Sequence, residues 1–331
     1  MILEGDCFEL IKGQPDNSVD LIVTSPPYAD IVNYGKNISI KKPSEYCDWL
    51  LPLFNDIYRI LKPSGSFILN INDNCSNGLR NPFIYELIYR SQKQTELKFY
   101  DTYIWHKKNG IPNGSPKRFR NNTEFIFHFV KEQKQVKFYI DRVLQEPAES
   151  YINRSKTPQG VDRIVIDGKR IKPRKMVKSD KVRPDNVFRF STAAASRDNT
   201  IKHPAPFHKD LPSYFINLVT DEGDVVLDPF GGIMTTGLAC KELNRNFIGY
   251  ELNEKYAEFG RKRIEGEQLD DYRLVQYDLQ DNLLNTFTSI GQAEKHLGHT
   301  THNHIEDCLR KGNQTSYGYK WKLEKNNYAK K

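Results

Sequence analysis

The sequence predicts an α/β fold, a Rossmann-like, doubly wound and mostly parallel sheet with helices on both faces. Three observations point there. Short β-rich apolar runs such as Val19-Asp-Leu-Ile-Val-Thr24 and Val225-Val-Leu-Asp228 stop at turn-forming residues, as buried strands do. Between such runs lie segments whose apolar residues recur at helical spacing. One strand-to-helix turn, Asp228-Pro-Phe-Gly-Gly232, carries glycines at the kind of place where an α/β sheet opens its ligand crevice.

Taken in order, Val19–Thr24 reads as a buried strand that ends at Ser25-Pro26-Pro27-Tyr28, because proline cannot continue a ladder. Ser44 is the expected N-cap of a helix carrying Trp49, Leu50, Leu53, Phe54, Ile57, Ile60 and Leu61, ended by Lys62-Pro-Ser-Gly65. A strand is expected over Ser66–Ile71, a helix from Pro82 to about Arg90, and strands near Phe99–His106 and Glu124–Val130. Periodicity then fades from Lys131 to about Ile201 while basic residues accumulate. It resumes with a helix over Pro212–Val219, the strand Val225–Asp228, a helix over Thr235–Leu243, a strand over Phe247–Glu251 and a helix over Glu254–Ile264. The expected division is 1–131, 132–201, 202–266 and a more polar appendage, 267–331.

The 331 residues suit about two domains' worth of chain. No run approaches the roughly 20 apolar residues of a membrane span, and the N-terminus lacks a secretion signal, so a cytoplasmic protein without membrane association is expected. Five scattered cysteines with no Cys-x-x-Cys pair signal neither disulfides nor zinc. His296, His299, His302 and His304 come without a cysteine pair or a nearby acidic ligand set, so no metal is expected. Lys+Arg exceed Asp+Glu by 49 to 42, a net +7. The excess matters because it gathers between Arg154 and Arg197, with Tyr151 just before it and Phe188 and Phe190 within it, a pattern suited to DNA phosphates, with a solvated loop as the alternative. Lys117, Arg118 and Arg120 extend the same surface.

Two constellations carry chemistry. In the first, Asp228, Pro229, Phe230, Gly231 and Gly232 form a tight turn that lets a ligand approach the backbone, and Thr235 and Thr236 can cap the helix that follows. About twenty residues on, a second strand ends in Glu251, placed to accept hydrogen bonds from ribose hydroxyls. A nucleoside cofactor follows, whereas neither Gly-x-Gly-x-x-Gly nor Gly-Lys-Ser/Thr is present for phosphates. The second is Ser25-Pro26-Pro27-Tyr28. An exocyclic amine conjugated into a heteroaromatic ring is a poor nucleophile. The Ser25 side chain and the Pro26 carbonyl, stiffened by two prolines, can accept its N–H groups and turn its lone pair toward an electrophile. Tyr28 offers a ring on which an extruded base can stack.

Thr24-Ser-Pro-Pro-Tyr28 together with Asp228-Pro-Phe-Gly-Gly232 resembles the amino-methylating DNA methyltransferases, in particular their circularly permuted β group. In that group the catalytic motif comes first, the target-recognition region next and the cofactor motif last. The resemblance covers roughly residues 1–265, through Gly5-Asp6, Lys62-Pro-Ser-Gly65, Asn122-Thr-Glu-Phe-Ile126, His203-Pro-Ala-Pro-Phe207 and Glu251. It implies S-adenosyl-L-methionine as cofactor and double-stranded DNA as partner, with a cognate restriction endonuclease as a further expected partner. By matching position it implies that Asp228, Phe230 and Gly232 line the methionine side of the pocket and Glu251 holds the ribose. Asp6 would lie near the adenine, His203 and Phe207 would close the methionine end, and Ser25, Pro26 and Tyr28 would receive the base. Ile233-Met234 departs from the family's small residues. That bulk would narrow the turn, the basis of a competing non-catalytic DNA-binding reading.

Serine at the first catalytic position is more typical of the family's cytosine-N4 enzymes, so the resemblance implies cytosine N4 over adenine N6, and no cysteine follows a proline as a C5 nucleophile would. Methylation of a protein glutamine is disfavoured by the long basic stretch. Ser289–Gly298 and Ile305–Leu309 read as two short helices, and Gly318-Tyr-Lys-Trp321 resembles the end of helix-turn-helix modules appended to mobile-element nucleases, with a helical hairpin as the alternative.

Overall fold

The computed structural model describes residues 1–28, 42–76, 78–108, 117–147, 164–166, 169–171, 181–191, 208–265, 272–287, 293, 296–297, 305, 309 and 315–325. The chain forms two compact units, one of Met1–Arg197 with Lys202–Ile264, the other consisting chiefly of Glu265–Lys331.

The first unit begins with β1 (Ile2–Glu4), α1 (Cys7–Leu10), β2 (Val19–Thr24), α2 (Pro43–Ile60) and β3 (Leu61–Ile71). A hairpin of β4 (Cys75–Ser76) and β5 (Leu79–Arg80) leads to α3 (Phe83–Gln94), β6 (Lys98–Lys107) and β7 (Thr123–Val130). Then come the hairpin β8 (Ile164–Ile166) and β9 (Lys169–Ile171), and β10 (Val187–Phe190). Next are α4 (Asp210–Val219), β11 (Val225–Asp228), α5 (Thr235–Glu242), β12 (Asn246–Glu251) and α6 (Glu254–Glu265).

The main sheet has the order β1-β12-β11-β2-β3-β7-β6-β10, in which only β7 runs antiparallel to its neighbours. Its centre reads as continuous apolar sequence because both faces are covered. Along β2, Ile22 turns to a layer with Leu50, Phe54 and Ile57 of α2, while Leu21 and Val23 turn to a layer with Phe215 and Val219 of α4. That alternation is the strand's period of two expressed in packing.

Three local expectations are corrected. The N-cap of α2 is Lys42, not Ser44, because Pro43 takes the first helical position, where its missing N–H costs nothing. Lys62-Pro-Ser-Gly65 does not separate helix from strand: β3 starts at Leu61, and a register shift against Val19–Leu21 absorbs the irregularity. Four residues of the basic stretch, Val187–Phe190, form β10 parallel to β6, with Phe188 buried among Tyr103, Tyr214 and Phe215. Two inward positions are too few to register as periodicity.

In the second unit β13 (Tyr272–Tyr277), β14 (Leu283–Phe287), β15 (Thr315–Ser316) and β16 (Tyr319–Lys325) make an antiparallel sheet of order β14-β13-β16-β15. Trp321 lies on β16, packed with Leu274, Ala293 and Ile305, so Gly318–Trp321 forms a hairpin turn and strand. Ala293, His296, Ile305 and Leu309 are helical; Gly298–His304, on which the expected turn depends, lie outside the described residues. Among the described residues no helix is long and apolar enough to cross a membrane.

Candidate active site

The chain leaves β2 through α2 toward β3 on one side and leaves β11 through α5 toward β12 on the other, so the neighbours β2 and β11 form the sheet's switch point. Ligand crevices open beyond the carboxyl ends of strands at such a point. Both sequence motifs sit there, joined directly: Thr24 Oγ1 donates to Asp228 Oδ1 at 2.6 Å across 204 positions of chain. Asp228 is 1 % exposed and also accepts from the Phe230 amide at 3.1 Å and Thr236 Oγ1 at 2.6 Å. Burial pushes its carboxyl up to about 6, against the pull of its three donors. Asp228 therefore shapes the crevice by tying strand, turn and helix together.

The glycine turn is strained where it must be. Gly232 has φ of +52° and donates its amide to Glu251 Oε2 at 2.8 Å; Gly231 donates to the Tyr250 carbonyl at 2.8 Å. Met234 follows with φ of +58°, a conformation that L side chains rarely adopt, and is wholly buried. Its side chain occupies a hollow that exists because glycine stands at 231, 249 and 260. A Cβ at Gly231 would lie 2.6 Å from Met234 Sδ, one at Gly249 2.7 Å from the same atom, and one at Gly260 2.2 Å from Met234 Cγ. The expected narrowing of the turn does not arise from Met234, which is accommodated by its own glycines. Nor do Thr235 and Thr236 cap α5: the cap position falls to Met234, without a side-chain bond, while Thr236 holds Asp228.

Beside this turn, β12 and β1 end side by side, with Glu4 in register with Glu251 and the Gly5 amide on the Glu251 carbonyl at 2.9 Å. Asp6 follows and receives the Phe8 amide at 2.9 Å. The Glu251 carboxylate accepts backbone amides from Gly232 and Asn253, each at 2.8 Å, and burial raises its pKa. Phe230 meets Trp49 at 5.9 Å between ring centroids, and Trp49 meets Phe8 at 5.6 Å. Helical spacing marks Trp49 as a core residue because it reports burial and says nothing about the partner. Acceptor-only carboxylates on adjacent strand ends, next to a backbone without Cβ atoms, fit a nucleoside with a short flexible tail. A phosphate would meet two carboxylates instead.

The catalytic motif sits on a polar floor. Ser25 Oγ donates to Tyr28 OH at 3.2 Å, and Tyr28 OH donates to Glu124 Oε2 at 2.7 Å. Asn70 Nδ2 approaches Glu124 Oε2 at 2.7 Å, Tyr28 OH at 3.0 Å and Ser25 Oγ at 3.4 Å. Glu124, 6 % exposed, also pairs with Lys107, and Tyr46 OH holds the Pro27 carbonyl at 3.0 Å. Pro26 follows Ser25 directly, just beyond the end of β2. As neighbouring strands of the same sheet, β3, β7 and β6 carry Asn70, Glu124 and Lys107 to the edge where β2 delivers Ser25. None of these three was singled out from sequence as a site residue. For Asn70 and Glu124 the signal was a polar side chain near the end of an otherwise apolar strand; Lys107 lies on a strand of mixed polarity and had none.

His203 and Phe207 lie outside the described residues, as does most of the basic stretch; Lys181, Arg183 and Arg189 lie within them. No group of metal-ligating side chains occurs among the described residues, and His296 packs beside Phe287 at 5.4 Å.

A DNA methylase family model of the N6/N4 type matches residues 19–262, and a NUMOD1 domain model matches residues 272–309. The chain is 32 % identical over 270 residues to the DNA adenine methyltransferase YhdJ of Escherichia coli (strain K12), covering 80 % of this chain and 82 % of that protein. It is 28 % identical over 267 residues to the type II methyltransferase M.HpaI of Haemophilus parainfluenzae, covering 79 % and 73 %. The solved structure of the PvuII DNA methyltransferase (cytosine-N4-specific) shares the fold, with a TM-score of 0.60, 24 % identity, and coverage of 79 % of this chain and 85 % of that one. The meeting of both motifs at the switch point and the family match over residues 19–262 give one conclusion: the chain belongs to the N6/N4 DNA methylase family, whose members use S-adenosyl-L-methionine.

Proposed function

We propose that this chain methylates the exocyclic amino group of a base extruded from double-stranded DNA, with cytosine N4 as the target. The observation that carries the assignment is the Thr24–Asp228 hydrogen bond, which fixes the catalytic segment against the cofactor turn. When bound, S-adenosyl-L-methionine supplies an activated methyl group on a sulfonium. Glu251 binds its ribose, Asp6 lies toward the adenine, and the Phe230–Gly232 turn borders the methionine portion, which His203 and Phe207 enclose. Ser25 and the Pro26 carbonyl accept the amine's N–H groups and orient its lone pair. Tyr28 stacks on the base, its ring held by the bond from its hydroxyl to Glu124.

No covalent enzyme intermediate is required. In keeping with that, Cys7, Cys47 and Cys240 are buried, and burial raises the pKa of each thiol, Cys47 to about 11. The stretch 132–201 supplies target recognition, and residues 272–309 make a second DNA contact. A restriction endonuclease specific for the same site is the expected companion, and the cytoplasm the compartment. A specific observation favours adenine N6 as the second reading: the relative named as an adenine methyltransferase is 32 % identical.

The test is incubation of the purified protein with tritiated S-adenosyl-L-methionine and plasmid, followed by nucleoside analysis. Labelled N4-methylcytosine is expected. N6-methyladenine would reverse the base assignment, and absence of transfer would refute the enzyme.

A further inference from the structure

Phe119 is 98 % exposed, although a phenyl ring gains by leaving water. It stands in the run Lys117-Arg-Phe-Arg120, so three cations flank it. The segment is anchored rather than adrift. Arg118 donates to the Gly78 carbonyl in the β4–β5 turn, and that hairpin follows directly from the active-site end of β3. Asn72, at the end of β3, holds the Thr123 carbonyl at 2.9 Å, and Arg80 of β5 pairs with Asp73. The exposed ring thus belongs to the rim of the same edge that carries Ser25 and Tyr28, five positions before Glu124.

Extruding a base leaves a gap in the duplex, and proteins that deform DNA fill such openings with apolar wedges while cations hold the adjoining phosphates. We propose that Phe119 is this wedge: it enters the base stack at the vacated position, with Lys117 and Arg120 on the flanking phosphates. The proposal rests on base extrusion as given under Proposed function. The occupant is double-stranded DNA rather than a protein surface, because Lys117, Arg118 and Arg120 neighbour the ring along the chain and the segment borders a DNA-modifying site.

The wedge acts only where a base must leave a stack, which defines its test. The target site is mapped by long-read sequencing of plasmid methylated by the protein. It is then built into short duplexes with the target base either paired or opposite an abasic position, where extrusion is easy. Under single-turnover conditions Phe119→Ala should slow methylation of the paired duplex about tenfold, the scale of one base–aromatic contact. It should slow the abasic-opposed duplex less than about twofold, and Phe119→Leu should restore part of the loss. Affinity for S-adenosyl-L-methionine should not change. Equal losses on both duplexes, or no loss on either, would overturn the wedge while leaving the methyltransferase assignment intact. No methylation of any DNA by the unsubstituted protein would overturn the assignment itself, and the wedge with it.

Discussion

Gly260→Ala probes whether the hollow around Met234 supports the cofactor turn. A Cβ at Gly260 would fall 2.2 Å from Met234 Cγ and 2.9 Å from Met234 Cβ. Carbon pairs settle at roughly 3.5–4.0 Å, so Met234 or α6 must give way by about an ångström. Met234 has little room to retreat, since its sulfur already lies within 2.6 Å and 2.7 Å of the Cβ positions left vacant at Gly231 and Gly249. Overpacking of this kind costs about 1–3 kcal/mol, and each kcal/mol lowers the melting temperature of a unit this size by about 2–4 °C. The expected fall is therefore about 2–12 °C by differential scanning fluorimetry. Because the displaced residue adjoins the Gly231–Gly232 turn, calorimetric affinity for S-adenosyl-L-methionine should fall as well. Met234→Ala alone should cost about 2–5 kcal/mol through the cavity it leaves. Combined with Gly260→Ala it should cost less than the sum, because the added methyl then occupies vacated space. Strict additivity, or Gly260→Ala melting like the unsubstituted protein, would refute the coupling.

Tyr28→Phe keeps the stacking ring but loses the bond to Glu124, so single-turnover methyl transfer should fall about 10- to 100-fold with cofactor affinity unchanged. A parallel loss of affinity would contradict the division of roles. Glu124→Gln leaves Lys107 without its carboxylate partner and should slow transfer about tenfold, again without weakening cofactor binding; unaltered transfer would remove Glu124 from the site. Asp228 holds its proton up to about pH 6, against an ordinary 3.8, so its contribution to stability is present below about 4 and lost as pH rises through about 6. The difference in melting temperature between Asp228→Asn and the unsubstituted protein should change across that window, and parallel curves would show that another group titrates.

Much of the architecture was legible because it depends on local pattern. Val19–Thr24 and Val225–Asp228 were read to the residue, since a strand buried on both faces advertises itself as an apolar run cut off by proline or glycine. The site's motifs were legible for a related reason: each lies in one short segment whose chemistry needs adjacent residues. What escaped was composed across the chain. Glu124, Asn70 and Lys107 stand on three strands and gain meaning only when the sheet aligns them beneath Tyr28. β10 shows the same limit, as four residues carry too little pattern until Tyr103 and Phe215 supply a surface for Phe188.

Ile233-Met234 marks the boundary between the two kinds of information. Residue order alone shows a bulky pair after the glycine turn. That the Met234 side chain turns into the core depends on the folded chain, because the space belongs to glycines at 249 and 260, brought beneath the turn by β12 and α6. Side-chain volume is a local property, and the room to hold it is not.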